Sequence, residues 1–248
     1  MVLEECLALS QTDILLGKDT EISQSDKCRL EEITGLLLKN VPVQYVLGYA
    51  DFCGLRLAVR PGCLIPRPET QDLVREISGL GCRGGLLDIG TGSGCIAISL
   101  ALQGFEVTAT DVSAEALEIA GQNAARLGAE VEFVLENILL PRRTDRKWDV
   151  IVSNPPYVMS SEKVGMDANV LEHEPHIALF VPDDDPLLFY RHISQYALCH
   201  LSPGGRLFFE INHLLAEETA DLVRAAGFRD VCLKNDMYEK KRFLCACV

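Results

Sequence analysis

Apolar residues in this 248-residue chain gather, from residue 85 onward, into short continuous runs separated by stretches of helical periodicity. Runs of that length bounded by turn residues read as buried strands, here 85–89, 106–111, 131–135, 149–153 and 206–211, with a final pair at 230–233 and 243–247. Between them, the unbroken run from Cys95 to Leu102 and the stripe of Ala116, Leu117, Ile119 and Ala120 behind a capping Ser113 read as helices. Strands alternating with helices predict a parallel sheet with helices on both faces. Ahead of this region, 1–40 reads as short helices, with Ser25 as an N-cap and Leu30, Ile33 and Leu37 on one face. Val41-Pro42 ends that segment. Two strands at 45–52 and 55–59, joined at Cys53-Gly54, then predict a hairpin, because Leu55, Leu57 and Val59 alternate with Arg56, Ala58 and Arg60. A proline-rich stretch leads on to a helix that buries Leu73, Val74 and Ile77. The expected organisation is a helical segment over 1–40, a hairpin linker over 41–68 and an α/β domain over 69–248. Residues 159–185 are acidic and poorly periodic, which predicts a partly mobile loop over the site.

The chemistry concentrates where strands meet helices. Asn154-Pro155-Pro156-Tyr157 follows the strand at 149–153, at the carboxyl edge where open α/β sheets bind ligands. Two prolines supply no N–H, so this backbone offers only carbonyl acceptors. Asn154 adds an amide oxygen and Tyr157 an aromatic face, a combination suited to a planar NH2 group. Taken alone, the four residues are also compatible with a rigid strand-exit turn. A second constellation sharpens the picture. Gly90-Thr91-Gly92-Ser93-Gly94 joins a strand to a helix, and Asp111 ends the next strand about 20 residues on, where a carboxylate meets a ribose in dinucleotide-type sites. The loop is neither G-x-G-x-x-G nor a Walker loop, so a nucleoside without a pyrophosphate fits better than NAD or ATP.

Together these residues resemble the class I S-adenosylmethionine-dependent methyltransferases. More narrowly, the chain resembles the release-factor glutamine N5-methyltransferases of the PrmC/HemK type from about Pro42 to its end. Pro42-Val43-Gln44-Tyr45-Val46-Leu47-Gly48, Leu64-Ile65-Pro66-Arg67-Pro68-Glu69-Thr70, the glycine loop, the Asn-Pro-Pro-Tyr turn, Glu174-Pro175, Pro203-Gly204-Gly205 and Glu210-Ile211-Asn212 carry that resemblance. It implies a Rossmann-like sheet closed by an antiparallel hairpin. It also implies S-adenosylmethionine as cofactor, with Gly90, Thr91, Gly92, Ser93 and Gly94 against its methionine and ribose portions. Asp111 is then expected on the ribose hydroxyls, Asn137 and Ile138 on either side of adenine, and Asn154 beside the methyl group. Asn154, Pro155, Pro156 and Tyr157 are the expected catalytic and substrate-holding residues, with Arg67 and Glu69 forming a wall towards the methionine end or the target glutamine. Asn137 stands where related sequences usually carry Asp, and keeps one acceptor oxygen. The implied partner is a peptide-chain release factor, methylated on the glutamine of its Gly-Gly-Gln loop.

Composition removes other classes. An apolar content of 48% with 24% charged residues is ordinary for a globular domain, and no apolar run reaches membrane-spanning length. The acidic N-terminus lacks the basic start of a signal peptide, and ten cysteines include no C-x-x-C pair. A cytoplasmic protein with reduced thiols and no metal is expected. His173, His176 and the run Asp183-Asp184-Asp185 read as surface residues and a solvated turn. A net charge of −13 argues against stable nucleic-acid binding, and a monomer is expected. An adenine-N6 methyltransferase acting on DNA or RNA could use the same Asn-Pro-Pro-Tyr turn on a flipped base. A cofactor-binding scaffold without activity is a third reading.

Overall fold

A computed structural model describes residues 1–81 and 83–248. The chain opens with helices α1 (Val2–Leu7), α2 (Gln11–Leu15), α3 (Gln24–Leu37) and α4 (Val43–Leu47), followed by a hairpin of β1 (Tyr49–Phe52) and β2 (Leu55–Ala58). Helix α5 (Thr70–Ser78) leads into β3 (Gly85–Ile89), α6 (Cys95–Ala101), β4 (Glu106–Asp111), α7 (Ala114–Leu127), β5 (Val131–Leu135) and β6 (Trp148–Ser153). The short strand β7 (Val158–Met159), helix α8 (Ala168–His173) and strand β8 (Phe180–Val181) follow. Helix α9 (Leu188–His200), β9 (Leu201–Glu210), α10 (Ala216–Ala226), β10 (Arg229–Asn235) and β11 (Lys241–Cys247) complete the chain.

Seven strands form the central sheet in the order β10-β11-β9-β6-β3-β4-β5. The five from β9 to β5 are parallel, and β11 joins β9 antiparallel, as does β10 with β11. The chain runs outward from β3 to β5 and then returns to β6 on the other side of β3. The crevice between β3 and β6 is therefore a topological switch point, where open sheets bind ligands. Alternate side chains of each strand enter opposite cores. Leu86, Val150, Val152 and Phe208 pack with α5, α6 and the hairpin residues Phe52 and Leu57. Leu87, Ile151, Leu207 and Phe209 pack with Tyr190 and Ile193 of α9 and Ala220 and Val223 of α10. No described helix is long and apolar enough to cross a membrane.

Several expectations need correction. Residues 45–47 are helical rather than extended, because Pro42 sets a new helix start and Gly48, at φ +80°, closes it by donating to the Gln44 carbonyl at 2.8 Å. The cap of α3 is Ser23, whose hydroxyl accepts from the Asp26 amide, and not Ser25. Leu30, Ile33 and Leu37 do share its inward face. The segment at 159–185 is not a bare loop. It holds α8 and two 3-10 turns, and β7 pairs with β8 in parallel through Val158–Phe180 and Met159–Val181. The strand expected at 206–211 begins earlier, at Leu201. Nine cysteines are free thiols; the tenth, Cys82, lies outside the described residues.

One glycine of the loop after β3 is required by packing as well as by conformation. Gly94 sits at φ +81°, and a Cβ there would lie 2.9 Å from Ile98 Cδ1 and 3.1 Å from Ala120 Cβ. Gly94→Ala is expected to lower unfolding free energy by about 1–3 kcal/mol, through left-handed strain and overpacking, measured by urea titration. A change below about 0.5 kcal/mol, the ordinary range of a surface substitution, would contradict this account of the loop.

Candidate active site

A cavity of about 280 Å³ opens at the switch point, lined by the glycine loop, the ends of β4 and β6 and the segment 62–67. The loop hangs from the neighbouring strand, with the Gly90 and Thr91 amides both donating to the Thr110 carbonyl, at 2.8 and 2.9 Å. Gly90 and Gly92 have positive φ, and a Cβ at either would meet nothing within 4 Å. Their backbones therefore form an open cradle. Asp111, at the end of β4, accepts from the Gly92 amide through Oδ2 and from the Ser113 amide through Oδ1, both at 2.9 Å. Burial raises its carboxyl above the ordinary range, and the two amides oppose that shift. Each oxygen keeps acceptor capacity towards the cavity.

Asn137 and Ile138 line the far end of the same cavity. Asn137 Oδ1 accepts from the Leu139 amide at 3.0 Å, a local turn that holds its side chain in place. The cradle, the carboxylate and the apolar flank of Val112 and Ile138 suit a nucleoside with a short polar tail, so these residues fit S-adenosylmethionine. Thr91, Ser93 and Gly94 stand with them, Gly94 in the supporting turn and outside the lining.

Sequence reasoning missed Asp88. It is fully buried beneath the loop; Oδ2 accepts from the Thr91 hydroxyl at 2.7 Å, and Oδ1 has no hydrogen-bond partner among the described residues. Burial pushes its carboxyl up to about 7, with the Thr91 hydrogen bond working against it. An unfolded aspartate titrates near about 3.9, so the folded protein holds this proton more tightly. The stabilisation is fully present below that value and is lost as pH rises through about 7. The ligand-free protein is therefore expected to lose stability between about pH 5 and pH 8, and Asp88→Asn to lose less. Denaturant midpoints at the two pH values measure this, and identical pH dependence in both proteins would contradict it.

Asn154, Pro155 and Pro156 line the cavity at the end of β6. The Ser153 hydroxyl fixes the two strands there, donating to the Ile89 carbonyl at 2.7 Å. Asn154 Nδ2 donates to the Thr70 hydroxyl at 3.4 Å. Tyr157 does not line the cavity. Its hydroxyl donates to buried Glu210 at 3.1 Å, and its ring packs against the core under α9. Burial, with the Glu210 carboxylate nearby, raises its phenol well above the usual value. Asn212 Nδ2 clamps the turn further, donating to the Tyr157 carbonyl at 3.1 Å and to Glu162 Oε1 at 2.9 Å.

Arg67 lines the cavity and Glu69 does not. Glu174, a second residue the sequence did not single out as part of the site, accepts from Arg67 at 2.7 Å and from the Ile65 amide at 3.0 Å. Its side chain is 1% exposed, so one carboxylate orders the whole 65–67 wall. A third, Asn123 of α7, is fully buried and ties the hairpin to the glycine loop. Its oxygen accepts from the Ala58 amide at 2.7 Å, and its nitrogen donates to the Ala58 and Ser93 carbonyls, both at 3.0 Å. The N-terminal helices also reach this wall. Tyr45 donates to the Cys63 carbonyl at 2.5 Å, and His173, beside Glu174, meets the Lys39 carbonyl at 3.1 Å. No cluster of three potential metal ligands occurs among the described residues.

Two family models match the chain: "Methyltransferase small domain" over residues 69–174 and "PrmC N-terminal domain" over residues 1–48. The second runs through α4. The chain is 46% identical over 247 residues to a release factor glutamine methyltransferase of Bacteroides thetaiotaomicron, covering 98% of this chain and 88% of that protein. It is 43% identical over 253 residues to one of Flavobacterium psychrophilum, with the same coverage. Among solved structures, a methyltransferase from Pyrococcus furiosus matches with a TM-score of 0.58 at 19% identity, over 91% of this chain and 98% of that one, a likeness of fold.

Proposed function

The chain belongs to the release factor glutamine methyltransferases, and on that premise we propose that its Asn154-Pro155-Pro156 turn holds the target carboxamide for methylation. The reaction is S-adenosylmethionine-dependent methylation of a release factor glutamine at its side-chain nitrogen, N5. That membership displaces the DNA or RNA methyltransferase and the inactive scaffold as readings of the sequence. One observation carries the assignment of the site: the acceptor turn and the glycine-loop cradle with Asp111 line a single cavity.

An amide nitrogen is a poor nucleophile, because its lone pair is delocalised into the carbonyl. The cofactor supplies a methyl group activated by a positively charged sulfur. Asn154 Oδ1 and the Pro155 carbonyl accept the two N–H bonds of the glutamine amide. Both hydrogens are thereby turned to the protein, and the lone pair is left facing the cavity in near-attack geometry. The same acceptors favour positive charge developing on nitrogen, a preorganised electrostatic stabilisation. A protonated N-alkyl amide is strongly acidic, so its proton leaves without a dedicated base. Pro156 keeps the turn rigid. Tyr157 acts from behind it, through Glu210, rather than by stacking on the amide as its aromatic ring alone suggested.

Asp111 accepts the ribose hydroxyls, Gly90 and Gly92 let the backbone approach, and Asn137 and Ile138 border the base. Arg67, held by Glu174, faces the cavity as a cation for a carboxylate or an amide oxygen. Glu69 stands between Arg67 and Thr70, which line the cavity, without lining it itself. The Gly-Gly-Gln loop suits the site because glycines allow close backbone approach while glutamine extends. A monomer in the cytoplasm, with no stable nucleic-acid partner, is the form that fits this activity and the acidic charge. Incubation with labelled S-adenosylmethionine and intact release factor, DNA, RNA or no substrate tests the assignment. Label transferred to the release factor alone is expected, and transfer to DNA or RNA with none to protein would overturn it.

A further inference from the structure

The geometry points to Glu210 as a positioning residue for methyl transfer: acting through the Thr70 hydroxyl, it sets which end of the Asn154 amide faces the substrate. This rests on the role of Asn154 proposed above. Glu210 ends β9 and is 1% exposed. Its Oε2 accepts from the Thr70 hydroxyl at 2.6 Å and its Oε1 from the Tyr157 hydroxyl at 3.1 Å. Thr70 is itself buried and has one hydrogen, already donated to the carboxylate. Towards Asn154 it presents only lone pairs.

A terminal amide has two orientations of nearly equal shape, told apart only by hydrogen-bond polarity. In this chain Asn154 turns its NH2 group to Thr70, at 3.4 Å. The contact is long, and what it supplies is direction. The reversed amide would set oxygen against oxygen lone pairs at Thr70 and turn its own NH2 towards the cavity. A glutamine amide would then meet a donor where transfer needs an acceptor. An ionised Glu210 therefore keeps Asn154 Oδ1 available for substrate. The Tyr190 hydroxyl fixes the end of the strand, donating to the Glu210 carbonyl at 3.2 Å and accepting from the Asn212 amide at 3.3 Å.

Protonation of Glu210 would undo this polarity. Its new O–H would donate to Thr70, whose hydrogen would be released towards Asn154. Burial raises the Glu210 carboxyl above the ordinary range, and Glu69 adds to the rise; the Thr70 and Tyr157 hydroxyls and Arg242 of β11 oppose it. Tyr190 of α9 donates to the Glu210 backbone carbonyl, and the Glu210 charge also acts on its phenol. The carboxylate form is the competent one, so turnover is expected to fall on the acid side, at a pH above the ordinary carboxylate range.

The test compares turnover on intact release factor at saturating S-adenosylmethionine for Thr70→Val, Thr70→Ser and Glu210→Gln, each also combined with Asn154→Ala. Thr70→Val should lower kcat about 10- to 100-fold while S-adenosylhomocysteine affinity changes less than about threefold. Thr70→Ser keeps the hydroxyl and should return kcat to within about threefold of the parent. Glu210→Gln should lower kcat similarly and abolish the acid limb. In the Asn154→Ala background, Thr70→Val should cause no further fall, because Thr70 acts through Asn154. An unchanged kcat in Thr70→Val, or an equal further fall in that background, would overturn the inference. Should Thr70→Val fail to fold, the acid limb of Glu210→Gln decides, and its persistence would count against the inference. An Asn154→Ala enzyme with full turnover would instead strike the role of Asn154 itself.

Discussion

Asn154→Ala is expected to lower kcat for release factor methylation by about 100- to 1,000-fold, the scale seen when one preorganised hydrogen-bonding group is removed from a transition state. Of the three turn residues that line the cavity, Asn154 alone offers a side-chain acceptor; Pro155 and Pro156 contribute backbone carbonyls only. In the proposed arrangement, removing it would leave one N–H of the glutamine amide without its partner and free the lone pair to rotate away from the methyl donor. Affinity for S-adenosylhomocysteine should change less than about threefold, since the cradle of Gly90, Gly92 and Asp111 lies on the other strands. Steady-state kinetics with calorimetry on the same preparation separates the two quantities. Parallel losses in both would show that Asn154 chiefly holds the cofactor.

The second large effect is the converse. Asp111→Ala should weaken S-adenosylhomocysteine binding about 10- to 100-fold, as charged hydrogen bonds contribute about 1.5–3 kcal/mol. Two losses combine there. The proposed carboxylate–ribose contact would be removed, and the Gly92 and Ser113 amides would lose their shared acceptor. At saturating cofactor, kcat should stay within about threefold of the parent, because the acceptor turn is untouched. Asp111→Asn, keeping one acceptor oxygen, should fall between. An Asp111→Ala protein with parental affinity would remove the ribose contact from this account.

The two halves of the site differ in how visible they are in sequence. The glycine loop, Asp111 and the Asn-Pro-Pro-Tyr turn are local: each is a few residues beside a strand end, and parallel strands bring those ends together along one edge. The strands at 131–135 and 149–153 are legible for the same reason, as apolar runs of fixed length. Helix α4 is not, because Val43-Gln44-Tyr45-Val46-Leu47 is short and mostly apolar, and periodicity cannot tell so short a helix from a strand. Glu210, Glu174 and Asn123 lie far in sequence from the residues they order, 140 positions in the case of Glu210 and Thr70. Asn123 looks like one polar residue on a helix until the hairpin arrives opposite it. Glu174 and Glu210 stand inside short stretches that carry the family resemblance, which marks them without saying what they hold. Tyr157 carries a role that its place beside the turn does not announce. An aromatic beside an acceptor turn suggests a stacking platform, whereas its hydroxyl is committed to a buried carboxylate behind the turn.

Peptide mapping by mass spectrometry of a release factor incubated with this enzyme and S-adenosylmethionine locates the transferred methyl group. One added methyl group is expected on the side-chain nitrogen of the glutamine in the Gly-Gly-Gln loop, absent when Asn154→Ala replaces the parent enzyme at equal concentration and time. A methyl group on any other residue, or an equal yield from Asn154→Ala, would contradict that expectation.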